Sequence, residues 1–437
     1  MSLITLIEPR WIIPVEPPSA VLENHAVAID DDHIAAVLPT AEAAIRYPDA
    51  QRVRLPGHAL IPGLVNLHTH AAMTLMRGMA DDLALMDWLE NHIWPVETRM
   101  VSDAFVHDGT LLACAEMLRG GITCFNDMYF FPEATARAAL QAGMRAVLGI
   151  IAIEHRSAYA SDARDYLAKG MALRDALRDE PLLSFCLAPH APFTVSNETF
   201  AQIAVYAGEL DLPIHIHLHE STHEISDSVK QYGVRPLARL AGLGLLGPGL
   251  IAVHGVHLNN EEIRTLAQHG CSVAHCPASN LKLASGIAPV AELAQAGVNI
   301  GLGTDGAASN NRLDLFEEMR LTALLAKGRS GDPTAMPAHM ALACATLGGA
   351  RALGMQDRLG SISPGKLADL TAVDLSATDL APCYDPVSHL VYACGREQVT
   401  DVWVGGQRRL ANRTLTGLDE TAIRGRAHYW QNKILSS

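Results

Sequence analysis

Eight short apolar runs, each about the length of one buried strand, alternate with amphipathic stretches of helical length through the middle of the chain. The runs are ALIPGLVNLH, GGITCFNDM, MRAVLGIIAI, LLSFCLAPH, LPIHIHLHE, GLIAVHGVHL, CSVAHCPAS and VNIGLGTDG, starting near residues 59, 120, 144, 182, 212, 249, 271 and 298. Near-continuous apolar strands separated by crossover helices are the pattern of a parallel sheet buried on both faces. Intervening segments such as DAFVHDGTLLACAEMLRG and NETFAQIAVYAGELD begin near Asp, Ser or Asn, residues that cap helix N-termini. Eight such units predict an α/β fold built on a (β/α)8 TIM-type barrel, with an open doubly wound sheet as the less specific alternative.

Outside that rhythm the ends of the chain change style. Residues 1–57 read as short β segments ending at the Pro56-Gly57 break, and ADLTAVDL and VTDVWVGGQRR return to that style from about residue 365, before a helical tail after Thr416. We therefore expect a small β-sandwich domain composed of residues 1–57 and 365–437, and the barrel over residues 58–364.

Composition narrows the partner. The net charge of −14, with no cluster of Lys or Arg, disfavours general phosphate binding, so no nucleic acid is expected. The apolar runs are too short to span a bilayer, and no membrane partner is expected. The opening MSLITLIEPRWIIPVEPP has neither a basic leader nor a small-residue cleavage site, and the eight cysteines contain no C-x-x-C pair, which together predict reduced thiols and a cytoplasmic location. The remaining expectation is a small-molecule substrate and a homo-oligomer.

The chemistry-bearing residues gather at the ends of the runs, and in barrels the C-terminal strand ends carry the active site. His68 and His70 close the first run two residues apart, so both imidazoles can face one metal. The fifth run offers His215, His217 and His219 followed by Glu220, a metal ligand and an acid/base carboxylate on one strand end, with at least one of the three histidines structural. His190, His254 and Asp305 end the fourth, sixth and eighth runs. A buried His or Asp can serve as a hydrogen-bonded core group. The shared strand-end position of these residues argues instead for one centre.

The H-T-H at 68–70, H-x-x-E from His217 to Glu220, the His of A-V-H-G and the G-T-D-G at 303–306 resemble the mononuclear branch of the amidohydrolase superfamily, over nearly the whole chain. The resemblance implies that His68, His70, His217 and Asp305 bind one divalent metal, with zinc first and iron(II) or manganese(II) as alternatives. It further implies that Glu220 carries protons beside the substrate ring and that His254 orients the attacking water-derived nucleophile. Dinuclear relatives place a carboxylated Lys where this chain has His190, which favours a single ion.

Three neutral imidazoles and a carboxylate leave an open position for water, which the metal acidifies towards a pKa of about 7. In this reading Asp305 takes a proton while Glu220 protonates a ring nitrogen and helps the amine leave. The small zinc deaminases' P-C-x-x-C signature is absent.

DDLALMDWLENHIWPVETRM resembles the matching segment of bacterial 5′-methylthioadenosine/S-adenosylhomocysteine deaminases and their triazine-hydrolase cousins. That resemblance implies that Glu97 accepts hydrogen bonds from the ribose hydroxyls and that His190 contacts purine or ribose. Substrate-binding candidates are thus Glu97, His190, Glu220 and Asp305, with Trp88, Met73 and Met86 for a thioether tail and Arg156 or Arg164 for a homocysteine carboxylate. The activity expected is hydrolytic conversion of 5′-methylthioadenosine to 5′-methylthioinosine and ammonia. The alternatives are a guanine, cytosine or triazine hydrolase of the same branch, or an inactive scaffold.

Overall fold

The computed structural model describes residues 4–436; the first two residues of the expected opening strand, Ser2 and Leu3, lie outside the described residues. Five strands precede the barrel: β1 (Thr5–Ile12), β2 (Leu22–Glu23), β3 (His25–Asp30), β4 (His33–Pro39) and β5 (Gln51–Pro62). The barrel strands are β6 (Leu64–Thr69), β7 (Ile122–Asp127), β8 (Arg145–Ala152), β9 (Leu183–Pro189), β10 (Ile214–Leu218), β11 (Leu250–His254), β12 (Ser272–His275) and β13 (Asn299–Leu302). After it come β14 (Leu370–Asp374), β15 (Val399–Val404), β16 (Gln407–Ala411) and β17 (Thr414–Leu415).

Seven of the apolar runs each became one barrel strand, while the first is divided at Gly63, Ala59–Pro62 ending β5 and Leu64–Thr69 forming β6. The eight barrel strands pair in parallel in simple sequence order from β6 to β13. Every strand residue from β6 to β12 is buried or nearly so, as a sheet covered by helices outside and plugged inside requires. The seam between β13 and β6 is bridged where the Asp305 N–H donates to His68 O at 3.0 Å. Gly303 makes that approach feasible, because a Cβ there would lie 2.8–2.9 Å from His68 atoms.

Both termini build one mixed nine-stranded sheet in the order β17-β16-β15-β14-β5-β1-β3-β4, with β2 beside β1. Its β5 runs through Pro56-Gly57 to Pro62 along β14, and the chain enters the barrel at Gly63. The sheet meets the barrel at the N-terminal strand ends. There Thr371 Oγ1 donates to Gly121 O at 2.7 Å, and the Arg145 guanidinium grips Asp369 with bonds of 3.2 and 3.1 Å. Both charged side chains are at most 4% exposed, so each offsets the other's desolvation. The opposite, C-terminal end of the barrel is left free for chemistry.

A helix over Asp103–Arg119, capped by Ser102 Oγ on Phe105 N, carries the loop that covers this free end. The C-terminal helix Glu420–Leu435 docks on it. Trp430 Nε1 donates to Asp108 Oδ2 at 2.7 Å, and its ring meets Phe105 edge-on. Trp430, Phe105, Met73, Met76, Trp88, Ile93, Val96 and Tyr129 form one apolar cluster over the barrel mouth.

Candidate active site

The strand ends of β6, β10 and β11 and the loop after β13 deliver His68, His70, His217, His254 and Asp305 to one place. Ligand atoms of His68, His217 and His254 lie within 4.8 Å of one another, as do those of His68, His70 and Asp305, so the two triplets share His68. Asp305 Oδ1 sits 3.2 Å from His68 Nε2 and 3.3 Å from His70 Nε2. The His68 ring centroid is 4.8 Å from that of His70 and 4.9 Å from that of His217. Asp305 and His254 adopt left-handed backbone angles, φ 59° and 71°, which non-glycine residues rarely hold. Such strain tolerated at two strand ends is characteristic of functional sites.

Each imidazole is oriented from behind. His70 Nδ1 lies 2.6 Å from Met128 O and His217 Nδ1 2.7 Å from His190 O. A carbonyl only accepts, so each Nδ1 carries a proton and each Nε2 is turned inward, where a metal could take its lone pair. His254 Nδ1 lies 2.8 Å from Asn280 Oδ1, with the same consequence for its Nε2. His68 Nδ1 lies 2.9 Å from His215 Nε2, so buried His215 backs a site residue rather than joining the centre. His219 turns away: its Nε2 accepts from Leu237 N at 3.1 Å, which makes it the structural member of the trio. Asp305 is held through Oδ2, which accepts from Ser279 Oγ at 2.7 Å and Ser309 Oγ at 2.8 Å.

Electrostatics separate the groups by role. Burial pushes His68 down to about 3 and holds His217 and His215 well below the usual imidazole range. Burial also opposes a charge on His70, but hydrogen bonding to Asp305 and its negative charge overcome this and raise it to about 9. Asp305 resists burial in the same way and stays well below the normal carboxylate range, because His68 and His70 bond to it. His70 and Asp305 thus form a charged pair beside the neutral imidazoles of His68 and His217, and a cation taking the His70 Nε2 would displace the proton there. Lone pairs from His68, His70 and His217, completed by a carboxylate, fit a divalent cation bound by nitrogen and oxygen.

Around this centre stand the remaining expected residues. Glu220 Oε2 is 3.8 Å from His254 Nε2, and burial raises its carboxyl, with the His254 charge opposing and Asp305 adding to the rise. The His190 ring is 5.0 Å from that of His217, and burial lowers it to about 4. Glu97 arrives on the helix Trp94–Met100, where its Oε1 accepts from Tyr129 OH at 2.6 Å. The Tyr129 ring in turn lies 6.3 Å from that of His70, so Glu97 is tied to the centre through one tyrosine.

Arg156 and Arg164 are exposed on the segment after β8, and among the described residues neither bonds to a member of the site. Met73 and Trp88 join the apolar cluster with Tyr129, whereas half-buried Met86 does not. Sequence reasoning missed Tyr129, Asn280, Ser279 and Ser309. The last three were within reach of it, because Ser279 ends the seventh run, Asn280 follows it and Ser309 lies four residues past Asp305.

A family model described as "Amidohydrolase family" matches residues 59–409. A protein of Teredinibacter turnerae named 5-methylthioadenosine/S-adenosylhomocysteine deaminase is 48% identical, over 98% of this chain and 97% of its own. The crystal structure of an adenosine deaminase from Xanthomonas campestris with bound zinc superposes with a TM-score of 0.98 at 51% identity, covering 100% of this chain and 99% of that one. An atrazine chlorohydrolase of Arthrobacter aurescens complexed with zinc superposes at 0.89 with 25% identity, over 98% and 99% of the two chains.

Proposed function

The chain belongs to the amidohydrolase family, and from that premise we propose that it is a hydrolytic deaminase of 5′-methylthioadenosine and S-adenosylhomocysteine, releasing ammonia and the corresponding inosine. The observation that carries this reading is the convergence of three back-oriented imidazoles and Asp305 beside a buried Glu220, with Glu97 fixed at the rim by Tyr129.

His68, His70, His217 and Asp305 would hold one divalent cation, zinc by preference; supporting this are two close triplets that share His68, one with His70 and Asp305 and one with His217 and His254. When bound, it supplies Lewis-acid activation of water near neutral pH. Asp305 receives the water proton at Oδ1, while Oδ2 stays fixed by Ser279 and Ser309. Glu220, kept protonated further towards neutrality by burial, gives its proton to the ring nitrogen next to the amino-bearing carbon. The proton held by Asp305 passes to the amino group, which departs as ammonia, while the second water proton returns to Glu220 and the water oxygen becomes the inosine oxygen, so atoms and charge balance. His254, its Nδ1 held by Asn280, presents Nε2 to orient the reacting oxygen. Glu97 accepts from the ribose hydroxyls and His190 borders the purine.

The test is a spectrophotometric screen of 5′-methylthioadenosine, S-adenosylhomocysteine, adenosine, guanine, cytosine and a chlorotriazine, with metal content measured on the same sample. Turnover led by the two thio-substituted nucleosides is expected. Turnover confined to a free base or to the triazine would overturn the substrate assignment.

A further inference from the structure

Glu224 is one of the most deeply placed carboxylates in the molecule, 4% exposed, and no step above uses it. It lies in the first turn of the helix Thr222–Tyr232, where the helix dipole favours an anion, and Ser221 Oγ caps its own N–H at 3.2 Å. The side chain folds back over the turn that leaves β10. Its Oε1 accepts from His219 N and its Oε2 from Glu220 N, both at 2.9 Å. His219 has left-handed backbone with φ 56°, an unfavourable conformation for histidine that needs outside support. The turn so held is the one that aims Glu220 at His254.

We propose that Glu224 is a positioning residue for the deaminase reaction: its two carboxylate oxygens clamp the His219 and Glu220 amides and so hold the Glu220 side chain on the line of proton transfer. The inference rests on Glu220 being the proton carrier, and the test keeps the two ideas apart. A carboxylate is required because only two acceptor oxygens can hold two adjacent N–H groups. Glutamine keeps the shape but replaces one acceptor with a donor facing an N–H. Misplacing a proton-transfer group by a fraction of an ångström slows the chemical step while leaving substrate binding elsewhere intact.

The experiment is a double-mutant cycle on the metal-loaded protein with 5′-methylthioadenosine, using Glu224→Gln, Glu220→Gln and the pair. In the native background Glu224→Gln should lower kcat at least about tenfold, with KM within about twofold and metal content unchanged. In the Glu220→Gln background the same change should cost less than about twofold, since the group it positions is already disabled. Equal losses in both backgrounds would overturn the proposal and make Glu224 a general stabiliser of the turn. A native-like rate for Glu220→Gln alone would sink the proton-carrier reading instead.

Independently of turnover, amide hydrogen exchange at residues 219 and 220 of the metal-free protein should accelerate in Glu224→Gln. Unchanged exchange there would contradict the clamp. If Glu224→Gln yields little folded protein, Ser221→Ala loosens the same first turn and is read in the same cycle.

Discussion

Replacing Glu97 with Ala should convert a nucleoside enzyme into one nearly indifferent to the ribose diol. In the structure Tyr129 OH occupies one lone pair of Oε1 at 2.6 Å, which fixes the carboxylate plane; the proposal gives Oε2 and the rest of Oε1 to the ribose hydroxyls. Hydrogen bonds to a charged acceptor contribute about 1.5–3 kcal/mol each, so two ribose hydroxyls give at least about 3 kcal/mol, or about 10²-fold in kcat/KM. The assay compares kcat/KM for 5′-methylthioadenosine and its 2′,3′-dideoxy analogue in the native protein and in Glu97→Ala. The native protein should prefer the diol by at least about tenfold, roughly 1.4 kcal/mol, and the variant should lose most of that preference. Tyr129→Phe should fall between them, because it frees the carboxylate without removing it. A diol preference that survives Glu97→Ala unchanged would refute the reasoning, since the carboxylate would then serve only to hold the loop.

Elemental analysis of active protein should find one divalent ion per chain, and His68→Ala or Asp305→Ala should lose it together with turnover; two ions per chain would contradict the single-ion reading. Chelation should also lower Tm, because a ligand bound only by the folded state stabilises it. Glu220→Gln should retain the metal and lose about 10² to 10⁴-fold in kcat, and a metal-free variant would show that Glu220 is a ligand instead. Arg145→Ala strands the buried Asp369 carboxylate and should destabilise the fold by about 3–5 kcal/mol in chemical denaturation, while kcat per folded chain is unchanged because the pair sits at the far end of the barrel.

The parts of the site legible in the sequence are those that strand periodicity delivers. His68, His70, His217, His254 and Asp305 end apolar runs, and parallel strands wound in sequence order bring their ends to one rim whatever the loops do. The β style of both chain ends was also legible, but it pointed to a sandwich ending at residue 57, whereas β5 continues to Pro62 and the two ends complete one mixed sheet, with β5 between β1 and β14. What strand spacing could not reveal is direction. His215, His217 and His219 share one pattern, yet one backs His68, one faces the centre and one turns outward, because the chain leaves the strand at His219 with positive φ.

The orienting shell was illegible for a related reason: its contacts are made by backbone carbonyls and by residues far away in sequence. Met128 O and His190 O fix the proton positions of His70 and His217, and a carbonyl leaves no trace in residue identity. Tyr129 finds Glu97 across 32 residues because the covering loop folds back over the β7 end. Yet this shell decides the chemistry. With Nδ1 of His70, His217 and His254 committed to acceptors, their Nε2 atoms have only the centre to face, and with Oδ2 of Asp305 held by two serines and Oδ1 by the Gly306 N–H at 2.8 Å, the carboxylate is fixed beside the histidines. These histidines and Asp305 are therefore already ordered before any ligand arrives, so binding need not supply the free energy of ordering them.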